Sequence, residues 1–361
     1  MNSMFNAMNT VATDTWNLMA TGISFSIGPN EETLTDLNLI KLCSSVPSLR
    51  VTKFNKTTEE PRNGADWEWW IGSSRDNRWI QLRVQAKRSS HSGYAYDQLI
   101  HSGKARDEDG KVIDPTIIIK QYDILIAQSL RAGAVPLHAF YNGWPADRFK
   151  FGGKHHDGIA KFRRAARDGS LPSIAWDAAN WGCTIAHTPW VKKIFEDPTL
   201  SDFPQNLLST NQAKNNRYVP LYLTHSSPWS HILYSRTPGT EPSVAEIAQN
   251  IRLITDGFDE PLSPQEFEAM THANPSPDAQ IVAFGAQFFQ KSAKLLAKQR
   301  DREEQSRQDT ADFLDTLSYT HNLDHLLESQ ASDQPRAQYL MVLDLHPEYA
   351  DTITDVDGWN D

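Results

Sequence analysis

The chain has 361 residues, enough for one large domain with elaborations or for two domains of ordinary size. Its formal net charge of -10 argues against a protein that coats nucleic acid through summed Lys and Arg contacts to phosphates. An acidic total does not exclude an enzyme that acts on nucleic acid, because basic residues can gather around a cleft while carboxylates hold metal ions. The two cysteines match no zinc-binding spacing, so we expect reduced thiols and a structural role for Cys183.

The N-terminal segment has neither the positively charged region nor the apolar region of a secretory leader. Nowhere do about 18 apolar residues run together, which a membrane-spanning helix requires. We therefore expect a cytoplasmic protein with no membrane partner.

Two helices are predicted at the start of the chain. The first covers residues 10–22 and is closed by Gly22. The second begins after Asn30, a capping residue that is followed by acidic residues in the first turn. Its apolar residues near helical spacing are Leu34, Leu37, Ile40 and Leu42.

Three strands and a further helix and strand follow. The predicted strands cover residues 51–55, 65–71 and 78–87, each bounded by turn-forming residues. A helix is predicted from about Lys120 to Ala132, with Gly133 as its stop. The strand at 134–142 is so apolar that we expect burial on both faces, as in a parallel pairing. The predicted fold class is α/β, with a core in the order helix, three strands, helix, strand.

Beyond Trp144 the patterns are weaker. They indicate a strand at 219–225, mostly helical structure at 241–300 with a highly charged helix at 294–308, and a strand at 338–345. We expect residues 1–240 to form the main domain and residues 241–361 to form a mostly helical, acidic region of unknown role.

The strand at 78–87 carries the residues with chemical potential. Because side chains alternate along a strand, Gln81, Arg83, Gln85 and Lys87 share one face, while the apolar residues between them point to the other. The same alternation pairs Asp66 with Glu68 on the preceding strand. Phosphodiester hydrolysis needs a divalent cation on oxygen ligands and positive charge near the transition state. Asp66 could supply an oxygen ligand for the cation, and Lys87 could supply the positive charge.

The segments NGADWEWW and LRVQAKR, about 20 residues apart, resemble the PD-(D/E)xK restriction-endonuclease-like nucleases, in the branch with Gln before the x-Lys, as in Mrr-like enzymes. NEETLTDLNLIKL is similar to the first core helix of that superfamily, and QYDILIAQSLRAGAVPLHAFYN to the helix and strand that complete the core. Residues 30 to about 142 carry the resemblance. It implies a restriction-endonuclease-like core and Mg²⁺-dependent hydrolysis of nucleic acid, with Mn²⁺ as a substitute.

The resemblance also implies a role for each matching residue. Asp66, Gln85, the Ala86 carbonyl and Glu32 would hold the metal, and Lys87 would be the catalytic cation. Gln85 replaces the more usual acid and removes one negative charge, which Glu32 or Glu68 could restore. We favour Glu32, with Glu31 left open because a shift of one residue in the helix would exchange the two.

The substrate implied is DNA, with RNA not excluded, and the biological setting is bacterial restriction or antiphage defence, with a second copy or a defence-system protein as a further partner. A basic segment at 147–169 is either a solvated helix face or a phosphate-contacting patch. The residues expected to contact nucleic acid are Arg88, Lys154, Arg163 and Arg164.

Other interpretations stay open. The chain could be a nucleic-acid-binding module that keeps the nuclease fold without turnover, or a glycosidase that uses Asp66 and Glu68 as its acid pair. The pairs His155/His156 and His321/His325 could bind metal, although neither has a third ligand at a motif spacing. The tryptophans expected to serve in core packing rather than base stacking are Trp67, Trp69, Trp70 and Trp79.

Overall fold

A computed structural model describes residues 3–53, 64–89, 96, 99, 102–106, 112–143, 171–172, 177–196, 226–255, 262–276 and 339–345. The predicted strand at 219–225, the charged helix at 294–308 and the basic segment at 147–169 lie outside these ranges.

The described α-helices are α1 (Ser3–Ser24), α2 (Glu31–Ser45), α3 (Gln121–Ala132), α4 (Ala178–Trp181), α5 (Thr188–Glu196), α6 (Val244–Thr255) and α7 (Pro264–Met270). Helix α1 begins earlier and ends later than predicted. Helix α2 begins where the sequence indicates, because the Asn30 side chain accepts a hydrogen bond from the Thr33 backbone N–H at 2.7 Å. Gly133 ends α3 in the left-handed conformation, with φ 64°, as predicted. None of the described helices combines the length and the apolar character that crossing a bilayer needs.

The described strands are β1 (Leu49–Lys53), β2 (Trp67–Ser73), β3 (Arg78–Arg88), β4 (Ser102–Arg106), β5 (Val112–Lys120), β6 (Val135–Tyr141), β7 (Cys183–His187), β8 (Ser227–Pro228) and β9 (Tyr339–Asp344). Seven of them form a mixed sheet in the order β1-β9-β2-β3-β6-β7-β8, and β4 pairs only with β5. The α/β class is confirmed. Strand β6 is parallel to β3, as its apolar sequence predicted, whereas β1 and β2 are separated by β9.

One face of the large sheet forms the main core with helices α1, α2 and α6. The strand residues in this core include Trp67, Trp69, Ile80, Leu82, Val84, Ala86, Leu137, Ala139, Tyr141 and Ile185. Helix α6 and strand β9, both beyond residue 240, therefore contribute to the same core and the same sheet.

Helices α3 and α5 lie on the opposite face. There Trp70 and Trp79 pack with Leu340 and Val342 in a smaller cluster. The four tryptophans of β2 and β3 are all buried, so the prediction that they serve in core packing is confirmed. At about 150–250 Å² each and about 25 cal/mol per Å², the burial of each contributes roughly 4–6 kcal/mol.

Candidate active site

The polar side chains of β3 lie on the face predicted by strand alternation. Gln81, Arg83, Gln85 and Lys87 all point away from the main core, and all are buried. Arg83 donates a hydrogen bond to the Gln128 carbonyl of α3 at 2.9 Å, which shows how closely that helix covers the sheet. This polar face is therefore an interior surface.

Asp66 is placed by the chain that enters β2. Gly64 has φ 71°, and a Cβ atom there would lie 2.8 Å from the backbone nitrogen of Leu125, so only glycine lets the chain pass α3 at this point. The Asp66 backbone N–H then donates to the Val84 carbonyl at 2.9 Å. The entry into β2 is thus fixed by both neighbours, which gives Asp66 a defined position.

The Asp66 carboxylate lies against the edge of β3. Its Oδ2 accepts a hydrogen bond from the Ala86 backbone N–H at 2.6 Å. Because the N–H and C=O of one residue face the same neighbour in an antiparallel ladder, the Ala86 carbonyl faces this edge too. Asp66 and the Ala86 carbonyl, two of the predicted metal ligands, are therefore neighbours.

Glu31, the first residue of α2, contacts β3 at Arg88, two residues beyond the Ala86 N–H that binds Asp66. The Arg88 backbone donates a hydrogen bond to its carboxylate, and the Lys87 ammonium lies 3.8 Å from it. Burial, opposed by the Lys87 charge and assisted by the Asp66 charge, raises the pKa of Glu31 to about 7. Asp66 and Glu31 thus place two carboxylates at the end of the ladder between β2 and β3.

Glu32, the residue favoured from the sequence, is exposed. The buried residues of α2 are Leu34, Thr35, Asn38, Leu39 and Leu42, whereas Leu37 and Ile40 are exposed. The helix is therefore rotated from the apolar face read from the sequence, and its buried stripe leads back to Glu31 by three- and four-residue steps. The helix carboxylate that lies in the site is Glu31.

Gln85 lies near the C-terminal end of β3 and is fully buried. Neither its amide oxygen nor its amide nitrogen has a hydrogen-bond partner in the part of the chain that the structure describes. Leaving a buried polar group unsatisfied costs about 1–3 kcal/mol. Such a group in a native fold needs an explanation, and a ligand that uses the amide is one.

His138 is a site residue that the sequence reasoning missed. It lies on β6 directly beside Gln85 in the β3–β6 register, and it is fully buried. Its Nδ1 is 3.0 Å from the Thr188 hydroxyl, while its Nε2 has no partner among the described residues. Burial and then the charge of Lys87 lower the pKa of His138 to about 3, so the ring is neutral. A histidine in an otherwise apolar strand was the available signal.

Glu68 has a different environment, although it shares a face with Asp66. Its Oε2 accepts from Arg83 at 3.0 Å and its Oε1 accepts from the Trp70 indole N–H at 2.7 Å. Both carboxylate oxygens are therefore engaged within the fold. This arrangement gives no support to Glu68 as a metal ligand or as the second acid of a glycosidase.

Of the other predicted residues, Arg88 borders this cluster through its backbone, Cys183 lies away from it, and the rest lie outside the described ranges. Arg88 is half-buried, with its guanidinium 3.2 Å from the Ser89 carbonyl. Cys183 is a buried free thiol that accepts from the Asn38 amide at 3.8 Å, consistent with a structural role. The residues outside the described ranges are Lys154, His155, His156, Arg163, Arg164, His321 and His325.

Within the described ranges, no three His, Cys, Asp or Glu side chains form a group that could hold a metal ion. A hard divalent cation also accepts amide and carbonyl oxygens. The donor set at this edge is the carboxylates of Asp66 and Glu31, the Ala86 carbonyl and the Gln85 amide, which is the type of set that such a cation takes. The unpartnered amide of Gln85 is the observation that fits a cation-binding role for these residues.

Comparisons with known proteins add a family and no activity. No curated protein and no solved structure matches the chain significantly. The sequence model of one family, described as a family of unknown function, matches residues 4–337 and so covers most of the chain. The chain therefore belongs to the DUF6615 family.

Proposed function

We propose that this protein is a Mg²⁺-dependent nuclease that hydrolyses phosphodiester bonds, with DNA as the substrate and Mn²⁺ as an alternative cation. The observation that carries the proposal is one cluster at the end of the β2–β3 ladder. It combines two carboxylates, an unpartnered buried amide and a buried lysine, contributed by Asp66, Glu31, Gln85 and Lys87.

The carboxylates and the amide would hold the cation. Asp66 is fixed by its hydrogen bond to the Ala86 N–H, so its other oxygen has a defined direction. Glu31 is fixed by the Arg88 N–H. Its raised pKa is the expected result of placing a second carboxylate beside Asp66 in a buried site, and a bound cation would favour the ionised form of both.

Mg²⁺, when bound, would neutralise charge on the phosphate and lower the pKa of the attacking water. Lys87 would place its ammonium group against the phosphate that is being attacked, where negative charge increases in the transition state. Its side chain is only 5% exposed, so water screens this charge little. Its 3.8 Å separation from Glu31 is long for an ion pair, which leaves the ammonium able to bind a substrate oxygen.

The resemblance to restriction-endonuclease-like enzymes supports the same chemistry and suggests the setting of bacterial restriction or antiphage defence. Glu31 now takes the position that we assigned to Glu32. The remaining part of that proposal, a restriction-endonuclease-like core, is supported by the order of α2, β2, β3, α3 and β6 along the chain. The insertion of β9 beside β2 is a departure from a simple meander of three strands.

The test compares wild type, Lys87→Ala and Glu32→Gln on supercoiled plasmid DNA and on single-stranded RNA, with Mg²⁺ and with EDTA. We expect Mg²⁺-dependent nicking by wild type and by Glu32→Gln, whose altered residue is exposed, and none by Lys87→Ala. Equal cleavage by wild type and Lys87→Ala would contradict the assigned mechanism.

A nucleic-acid-binding module without turnover is the second candidate. The specific observation in its favour is that the described site holds two carboxylates where a third acid would strengthen cation binding. Binding of nucleic acid by wild type, with no cleavage under any divalent cation, would establish this second function in place of the first.

A further inference from the structure

Asp66, Gln85 and His138 lie in a row across three neighbouring strands. Gln85 and His138 are register partners on the parallel strands β3 and β6. Asp66 precedes Trp67, whose partner on β3 is Val84, so Asp66 lies beside Gln85 on its other side. The amide of Gln85 therefore has a carboxylate on one side and an imidazole on the other.

The unpartnered atoms of this row belong to two residues that are register neighbours. They are the two amide atoms of Gln85 and the Nε2 atom of His138, and both residues are fully buried. No described residue satisfies these atoms. If the Gln85 amide turns toward the ring, its NH₂ group is a donor without an acceptor, and the Nε2 atom of His138 is an acceptor without a donor. The two residues can therefore satisfy each other.

An amide that binds a cation has an orientation problem that a carboxylate does not have. Its oxygen can bind a cation whereas its NH₂ group repels one, so the side chain works in only one of two orientations. An acceptor beside the NH₂ group selects the productive orientation. Metal ligands are commonly held in this way by a neighbouring group that does not itself touch the metal.

His138 can provide that acceptor because its ring is anchored. The Thr188 hydroxyl lies 3.0 Å from Nδ1 at the start of α5. When Nδ1–H donates to this hydroxyl oxygen, Nε2 carries a lone pair and is an acceptor on the strand next to Gln85.

We propose that His138 is a positioning residue that accepts a hydrogen bond from the Gln85 NH₂ group and thereby turns the amide oxygen toward Asp66, where the cation binds. This inference rests on the proposed function, since it assigns Gln85 to the metal. It explains how a glutamine can occupy a position where related nucleases carry an acid, and it makes His138 necessary only while residue 85 is an amide.

The test is a double-mutant cycle measured by calorimetric titration of the full-length protein with Mn²⁺ in the absence of nucleic acid. The proteins are wild type, His138→Leu, Gln85→Glu and the double variant. A carboxylate has two equivalent oxygens and needs no orienting acceptor. We expect His138→Leu to weaken Mn²⁺ binding about tenfold in the Gln85 protein and less than twofold in the Gln85→Glu protein. Equal loss in both backgrounds, or no loss in either, would overturn the proposal.

Thr188→Val and Thr188→Ser provide a second comparison that leaves the imidazole in place. The valine variant removes the hydroxyl that anchors Nδ1, and the serine variant keeps one. We expect weaker Mn²⁺ binding by Thr188→Val than by Thr188→Ser, and the opposite order or equal affinity would contradict the role of the anchor. Absence of Mn²⁺ binding by wild type would instead contradict the proposed function on which the inference rests.

Discussion

Two groups of residues with polar side-chain atoms lie next to each other on the same face of the sheet, on strands β2, β3 and β6. In the first group, Glu68, Arg83 and Trp70 are linked by hydrogen bonds that engage both carboxylate oxygens, and Arg83 also bonds to α3. In the second, Gln85, Lys87 and His138 are just as deeply buried, yet the Gln85 amide and the Nε2 atom of His138 have no partner among the described residues, and the Lys87 ammonium lies 3.8 Å from Glu31. The first group is complete within the fold and the second is incomplete.

The presence or absence of hydrogen-bond partners distinguishes polar residues that stabilise the fold from polar residues that could bind a ligand. Burial and charge distinguish them less well. A buried polar network whose members are all satisfied stabilises a particular packing of α3 on the sheet. A buried polar group left unsatisfied costs stability, and such a cost is expected where a ligand completes the set. We therefore expect a substitution in the first group to lower the stability of the fold. A similar substitution in the second group should lower activity and leave stability nearly unchanged.

The largest expected effect comes from Lys87→Met, which replaces the ammonium by an apolar group of similar length. We expect Mg²⁺-dependent DNA cleavage to fall by about 10²–10³-fold, because the transition state loses its nearest cation. The free energy of unfolding should change little, since the variant also removes a buried charge whose ion pair is long. Single-turnover cleavage and urea unfolding measure the two quantities. Retention of cleavage within about threefold of wild type would remove Lys87 from the mechanism.

Arg83→Met is the matched substitution in the complete group, two positions from Gln85 on the same strand. It leaves the buried Glu68 carboxylate without its cation, and breaking a buried pair in this way costs about 3–5 kcal/mol. Urea unfolding should show this loss, and Glu68→Leu combined with Arg83→Met should recover part of it. A variant as stable as wild type would mean that the two groups do not differ as we describe.

A smaller effect is expected in the pH dependence of stability, measured by urea unfolding in EDTA. The folded-state pKa of Glu31 is about 7, above its ordinary value of 4.5, so between these pH values the folded protein binds more protons than the unfolded chain. Stability attributable to Glu31 therefore falls as pH rises through this window, by at most about 3 kcal/mol. Glu31→Gln should lose this contribution, whereas Glu32→Gln should keep it. Identical pH profiles for wild type and Glu31→Gln would contradict the buried environment of Glu31.

Local sequence patterns predicted much of the framework of the site. Strand alternation placed Gln85 and Lys87 on one face and Trp67 and Trp69 on the other, because the period of two leaves no alternative once the strand is recognised. The N-cap of α2 at Asn30 and the C-cap of α3 at Gly133 were equally predictable, since each depends on a few adjacent residues.

The identity of the helix carboxylate could not be read in the same way. Leu37 and Ile40 suggested an apolar face that the folded helix leaves exposed, while Thr35 and Asn38 are buried through hydrogen bonds to Tyr141 and Thr15. Buried polar residues with partners thus set the rotation of α2. A one-residue rotation is enough to exchange Glu32 for Glu31 in the site.

The contribution of distant segments was the other unpredictable part. The sequence indicated a strand near residues 338–345, but not that it would lie between β1 and β2. The position of His138 beside Gln85 could not be predicted for a similar reason. It depends on the pairing of two strands far apart in the chain. Such pairings depend on tertiary contacts and have no local signature.

The most direct test of the central claim is the free energy of unfolding of wild type and Asp66→Asn at increasing Mg²⁺ concentrations. It is measured by urea unfolding at pH 8. A cation that binds only the folded state stabilises it by about 2.7 kcal/mol at a hundredfold excess over its Kd. We predict such a rise for wild type, none for Asp66→Asn, and a rise retained in Glu32→Gln, whose altered residue is exposed. Equal stabilisation of wild type and Asp66→Asn, or none in wild type, would contradict a cation site at the end of the β2–β3 ladder.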